Sequence, residues 1–460
     1  MERFKQINKN KRKRYLIISY IFFVVCFFVP SSAYAYLDPG TGNALVYVAV
    51  SLLGAVFYFV KGIVYKVMNQ VADENEHSQI SVGYEDIVIF CEGKSYWNVF
   101  KPVVEKLIEK KQHFSYYTMD RKDPCLFIDN QYIENRYIGS GNSAYAKIGN
   151  LKANLVLVTT PNIGTKGYPI PRSKGIRKLI YMPHSFGDIA FLHRGALDNY
   201  DTFMLTGEFQ IRDIRKLEEI RKLPRKELWP AGLPFFEKLI KEKSSYSNSC
   251  FDQKAFDVKK ENVTVLLAPS WGEKGFLSYY GSDFITALAD KGFSLILRPH
   301  PQSLKVEKKL IKKLERDLQK YSNIVWDFGQ DMKHSFDEAD ILISEVSGIR
   351  FEFAMACRKP FITLPVPIPE EMLNDFEIAD LGSSWIEQAM QDIGFGYTVK
   401  ENEIDSIDKI IKKVLAENKP EAIEDFRKEN IYYWGHSDEV IADFLITMNN
   451  GFKEKQDNKV

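Results

Sequence analysis

The 460-residue chain is poor in most of the groups that make chemistry easy to read. Its five cysteines, Cys26, Cys91, Cys125, Cys250 and Cys357, stand apart, none at metal-knuckle or redox spacing, so neither a disulfide framework nor a cysteine zinc site is expected. Lys+Arg 62 against Asp+Glu 61 leaves a formal charge of +1, which gives no footprint of a nucleic-acid partner. No Walker A sequence and no G-x-G-x-x-G is present, which argues against an ATPase or a hydride-transfer enzyme. No Asp-x-Asp triplet occurs, so a metal-clamped nucleotide-sugar site is not expected, and neither a cofactor nor a metal is anticipated. Repeats and low-complexity tracts are absent too, which sets solenoids aside.

What is present is unevenly placed. Seven basic residues (Arg3, Lys5, Lys9, Lys11, Arg12, Lys13, Arg14) oppose Glu2, so the first fourteen residues carry +6 and the remainder −5. An uncharged run from Tyr15 to Leu37 follows, ending in Ser31-Ser32-Ala33-Tyr34-Ala35. A basic start, an apolar stretch and a small-x-small end form a signal-peptide pattern. A second uncharged run, Pro39 to Val60, is long enough at about 1.5 Å per residue to span a hydrocarbon core of about 30 Å. Residues 1–36 are therefore expected to be a signal peptide or first transmembrane helix, and 37–68 a membrane anchor. Lys61 and Lys66 on the inner flank put the rest in the cytoplasm of a membrane-attached protein.

After a polar stretch, short apolar runs alternate with amphipathic ones. Strands are expected at Ile87 to Phe90, Phe114 to Thr118, Leu155 to Thr159, Leu179 to Met182 and Phe203 to Leu205. The pattern restarts at Val263 to Ala268, Phe293 to Leu297, Ile324 to Asp327, Ile341 to Ser344 and Phe361 to Leu364. Alternation of this kind predicts an α/β chain with parallel sheets covered by helices. Residues 84–237 and 263–449 are read as two tandem α/β domains facing across a cleft, with 238–262 as linker and 450–460 as a disordered tail.

Ligands of such sheets sit beyond the carboxyl ends of the strands. Two of the seven histidines fall there, in Met182-Pro183-His184 and in Arg298-Pro299-His300-Pro301, one in each domain and at seemingly matching places. An imidazole with an ordinary pKa of about 6.5 suits acid–base work near neutrality, and Arg298 adds a permanent cation for phosphate. The segment Asp340 to Phe353 reads as a strand, a small-residue turn at Ser347-Gly348 and a helix, whose amide-lined start can hold an anion. Glu352, one turn in, could accept from ribose hydroxyls. Ser270 and Gly272, after the first strand of the second domain, complete the candidate phosphate loop. Each of these has a plainer reading as loop polarity or helix cap.

Over Tyr84 to Phe444 the chain resembles the CDP-glycerol glycerophosphotransferase family, the membrane-associated primases and polymerases of teichoic-acid biosynthesis. Arg298-Pro299-His300-Pro301, the Asp340 to Phe353 segment and the Gly232-Leu233-Pro234 turn carry the resemblance. It implies the GT-B architecture, two Rossmann-like domains facing across a cleft. It also implies His184 and His300 as the catalytic pair, with Ser347-Gly348 at the CDP pyrophosphate. The family's polymerases have His-Gly-Thr-Pro where this chain has His184-Ser185-Phe186-Gly187, and Asp-Tyr-Ser-Ser where it has Glu345-Val346-Ser347-Gly348, so the chain reads as a divergent member. The implied reaction is transfer of an alditol phosphate from a CDP-alditol to a hydroxyl of a lipid-linked or glycan acceptor, with His184 taking the proton and His300, Arg298, Ser270 and Ser347 neutralising the diphosphate. The alternatives are a GT-B glycosyltransferase using a nucleotide sugar and a catalytically silent membrane scaffold.

Overall fold

Seven strands form the first sheet: β1 (Glu85–Cys91), β2 (Phe114–Thr118), β3 (Ile133–Tyr137), β4 (Ala153–Val158), β5 (Ile176–Tyr181), β6 (Thr202–Leu205) and β7 (Glu227–Pro230). Six form the second: β8 (Thr264–Leu267), β9 (Ser294–Leu297), β10 (Ile324–Trp326), β11 (Ile341–Ser344), β12 (Phe361–Thr363) and β13 (Gly396–Thr398). The computed structural model describes residues 84–241, 262–272, 275–329, 332–367, 370–385, 387 and 396–457. The basic head and both uncharged segments lie outside the described residues, as does most of the expected linker. Among the described residues no helix is long and apolar enough to cross a membrane.

Every ladder is parallel. The strand orders are 3-2-1-4-5-6-7 and 10-9-8-11-12-13, so the second sheet repeats the doubly wound order of the first without its last strand. Strand order reverses between β1 and β4 and between β8 and β11, which opens a crevice at the carboxyl ends of those strands. The runs Ile87-Val88-Ile89-Phe90 and Ile341-Leu342-Ile343 are buried throughout because helices cover both faces of each sheet.

Three strands escape a reading based on apolar runs, β3, β7 and β13, and all three are sheet edges. An edge strand packs less completely, so its sequence need not be continuously apolar. Glu134, Asn135 and Arg136 in β3 illustrate this, none of them fully buried.

Helix α1 (Trp97–Glu109) buries Phe100, Val103, Val104 and Leu107, one stripe at three- and four-residue spacing, against the first sheet. Helices α2 (Asn142–Gly149), α3 (Phe209–Arg221) and α4 (Pro234–Lys241) complete that half. The expected linker at 238–262 therefore begins inside a helix. The second half carries α5 (Phe276–Asp290), α6 (Lys308–Leu318), α7 (Ile349–Cys357), α8 (Ile407–Ala416) and α9 (Pro420–Asn430).

The C-terminus departs most from expectation. Helix α10 (Ser437–Asp457) continues where a disordered tail was expected, and it packs on the first sheet rather than on its own half. Ile441, Ala442, Phe444 and Leu445 enter the core beneath α1, and Asn449 Oδ1 accepts from Asn154 Nδ2 at 2.9 Å. Lys110 pairs with Asp443 at 2.8 Å. The apolar stripe at 441, 444 and 445 matches a face that the first domain leaves open, so the first domain is 84–241 plus the last helix. Its start is held by the Gly232 turn: Gly232 has φ +83, and a Cβ there would lie 2.1 Å from Ser437 Oγ and 2.3 Å from the Tyr432 carbonyl. Only glycine fits that approach.

A core shared by both halves joins them. Phe186 and Phe209 of the first pack with Phe351, Phe353 and Phe426 of the second. The Phe209 ring stacks on Trp385 at 4.6 Å.

Candidate active site between the two sheets

The cavity at the junction, about 200 Å³, is lined from one side by residues that follow β5, His184 to Leu192, and from the other by Val346, Ser347, Gly348 and Arg350 at the start of α7. His184, Ser347 and Gly348, singled out in the sequence, thus meet in one space. A Cβ on Gly348 would be 3.5 Å from the Phe186 carbonyl, an ordinary contact, so the two halves already touch there.

The loop after His184 is fixed by a strap from the second half. Glu377 N–H donates to the Leu192 carbonyl at 2.9 Å, Ile378 N–H to the Ala190 carbonyl at 2.7 Å, and Ser384 Oγ to Asp188 at 2.7 Å. Arg221 of α3 is bound by Glu377 and, at 2.6 Å, by Asp380. Two backbone bonds and a buried ion cluster hold the first-domain loop in register with the second domain.

His184 is set edge-on to Tyr96 at 5.6 Å between ring centres. Its Nδ1 is buried and has no hydrogen-bond partner among the described residues. Burial pulls its pKa below the ordinary histidine value, and the nearby Thr159 carbonyl opposes this without completing a hydrogen bond to Nδ1. The imidazole is therefore neutral at pH 7 and competent as a base.

His300 keeps an exposed edge, while atoms crowding its ring pull its pKa down as well; Glu307 opposes the shift, and His184 and Lys305 add to it. Gln302 N–H donates to His300 Nδ1 at 3.1 Å. In the neutral ring that bond assigns the proton to Nε2, which becomes a donor.

The histidines do not occupy matching strands. His184 follows β5, and His300 follows β9, whose counterpart in the first sheet is β2. They follow strands on opposite arms of the two sheets, and His300 is not among the residues that line the cavity holding His184.

Arg298 is committed elsewhere. Its guanidinium binds Asp327 and donates to the Gly329 carbonyl at 3.0 Å, joining the ends of β9 and β10. It does not line this cavity. Ser270 and Gly272 also lie outside the lining. Gly272 has φ +111 and nothing within 4 Å of an added Cβ, so backbone conformation rather than crowding selects glycine. Glu352 is buried, with its carboxyl against the Phe186 amide rather than turned to a ribose-sized space; burial raises its pKa to about 7, and the amide opposes this.

Two contributors were not singled out in the sequence. Glu345 accepts the Ser270 N–H at 2.7 Å and so anchors the loop after β8. Arg350 lies buried in the cavity wall beside Glu387. The signal for Arg350 was its place as the second residue of a helix that follows a Ser-Gly turn. Among the described residues no group of three or more His, Cys, Asp or Glu side chains is arranged to hold a metal.

Two doubly wound domains whose strand ends share one cavity define a GT-B-like architecture. The structure is similar to that of the wall teichoic acid polymerase TagF, with a TM-score of 0.54 and 15% identity over 88% of this chain and 99% of the other. It is also similar to a TagF histidine-to-asparagine variant soaked with CDPG, at TM-score 0.53 and 15% identity over 88% of this chain and 99% of that one. UDP-GlcNAc 2-epimerase from Neisseria meningitidis bound to UDP-GlcNAc matches at TM-score 0.50 and 14% identity, covering 78% of this chain and 99% of that one. At these identities the likeness establishes the fold. No family model matches the sequence, and no curated protein does.

Proposed function

We propose that this protein transfers glycerol phosphate, or a related alditol phosphate, from a CDP-alditol to a hydroxyl of a lipid-linked or glycan acceptor. The observation that carries the reading is that His184, at a strand end of the first sheet, lines one cavity with Ser347 and Gly348 at the start of α7. The likeness to TagF, including a variant soaked with CDPG and others with a histidine replaced, supports the donor class.

In this reading the acceptor hydroxyl attacks the β-phosphorus and its proton passes to His184. The bond from that phosphorus to the bridging oxygen breaks, its electron pair leaving on CMP. His300, neutral with a proton on Nε2, donates to a phosphoryl oxygen as charge builds there, and the start of α7 at Ser347-Gly348 faces the diphosphate. The reading places the first 68 residues in the cell membrane and the two domains on its cytoplasmic side. Tethering confines enzyme and lipid-linked acceptor to one surface and raises their effective concentration.

The comparable likeness to UDP-GlcNAc epimerases favours, as a second reading, a nucleotide sugar as donor. Full-length protein in detergent, incubated with CDP-glycerol, CDP-ribitol, UDP-sugars and GDP-sugars, separates the two by the nucleotide released. CMP from a CDP-alditol alone supports the first reading, and UDP or GDP supports the second. Release from none of them leaves the catalytically silent scaffold.

A further inference from the structure

The cavity wall behind Ser347 contains a charged pair that the scheme above does not use. Arg350 has a side-chain exposure of 1%. Its Nε donates to the Ser347 carbonyl at 2.9 Å and its Nη1 to Thr363 Oγ1 at 2.6 Å. Both carboxylate oxygens of Glu387 complete the shell, one on Nη2 and the other 3.4 Å from Nη1. The Phe351 and Phe361 rings lie 5.1 and 5.6 Å away.

These contacts differ in origin. Ser347 and Thr363 belong to the turn after β11 and to the neighbouring strand β12, the framework that carries Arg350 itself. Glu387 comes from a separate segment, keeps 22% of its side chain exposed, and lines the same cavity as His184, Ser347 and Gly348. A buried guanidinium needs a counter-charge, and losing one without replacement is strongly destabilising. Its two Nη groups donate to Glu387 as a fork that a carboxylate and a phosphoryl group accept alike. The start of α7 beside it favours whichever anion carries more charge.

We propose that Glu387 is a resident stand-in for a phosphate on Arg350, and that a diphosphate entering the cavity takes over Arg350 by displacing the Glu387 carboxylate. Arg350 is then a ligand-binding cation that the empty site keeps neutralised. The exchange favours a diphosphate over a singly charged anion, because the incoming group must outcompete a carboxylate already in place. Binding is correspondingly weaker than the bare site would allow. The donor's identity rests on the phosphotransferase reading above, while the exchange itself concerns only anion chemistry.

Inorganic pyrophosphate is the probe, titrated calorimetrically into the full-length protein in detergent. Glu387→Gln should bind it about tenfold more tightly than the wild type, the scale of one charge-assisted contact no longer contested. Glu387→Asp, which keeps the charge for folding but is one methylene too short to hold both Nη groups, should shift affinity in the same direction. Arg350→Lys should weaken binding by about tenfold or more and erase the gain from Glu387→Gln in the double variant. Equal or weaker binding by both folded Glu387 variants would overturn the proposal, as would an Arg350→Lys protein that binds like the wild type. Turnover is read separately: pyrophosphate exchange without CMP release from any CDP-alditol would defeat the donor assignment and leave the exchange standing, whereas CMP release with unchanged pyrophosphate affinity would do the reverse.

Discussion

His184 and His300 each follow a proline at the end of a strand, yet the two turns are built differently. The first is held from outside its own domain, by the 373–385 strap, and its imidazole is buried with Nδ1 unpaired. The second is held from within, by Arg298 on Asp327 and by the Gln302 amide on Nδ1, and its ring keeps an exposed edge. Similar sequence at two strand ends thus yields one desolvated imidazole and one whose Nδ1 is held by a backbone amide. The difference arises in tertiary contacts, not in the Pro-His pairs themselves.

The largest expected effect tests the division of labour between them. His184→Ala and His300→Ala should each lower CMP release from CDP-glycerol by roughly 10²- to 10⁴-fold while thermal unfolding stays near that of the wild type. A variant that keeps full turnover removes its histidine from the chemistry.

Arg298 marks the internally braced turn. Arg298→Met leaves Asp327 buried without its partner and should cost about 3–5 kcal/mol in denaturant unfolding. KM for the donor, measured on the folded fraction, should change little. A large rise in KM with unchanged stability would restore Arg298 to the phosphate and erase the contrast with Arg350.

Glu352 lies where the His184 turn meets the second domain, and its raised pKa makes that contact pH-dependent. The folded carboxyl takes up its proton at about 7, whereas the unfolded one does so near the ordinary 4.5. Stability is therefore fully retained below about pH 4.5 and lost as pH rises through 7, by about 3 kcal/mol for this group. Glu352→Gln removes the ionisation, so its stability gain over the wild type should grow between pH 5 and pH 8. A gain independent of pH would place the buried charge elsewhere.

The mildest expectation concerns the pH profile. Burial lowers the pKa of both histidines, so the acid-side fall of kcat/KM should lie below the ordinary histidine value of about 6.5. An acid limb above that value would contradict the desolvated environment of the His184 turn.

The central strands were legible because parallel strands covered on both faces must be apolar along their length, as at Ile87 to Phe90 and Ile341 to Ile343. The edge strands β3, β7 and β13 lacked that requirement. Helix α10 was missed because its apolar stripe answers a surface more than three hundred residues earlier in the chain, beneath α1. At the site, a histidine after a strand could be found by its position, and so could Ser347-Gly348. The two arginines could not be sorted in the same way. Arg298 beside a histidine suggested phosphate, and the structure pairs it with Asp327; Arg350 was not singled out, and it lines the cavity. Which partner wins a guanidinium depends on contacts between distant segments, and local sequence does not carry that.

The most direct test of the account is CMP release from CDP-glycerol by the His184→Ala/His300→Ala double variant beside the two single variants. If the histidines act on one transfer, the double variant should be little slower than the slower single variant, because groups that work as a unit are not additive. A double variant that turns over at the wild-type rate would contradict the account, as would losses that multiply as for two independent sites.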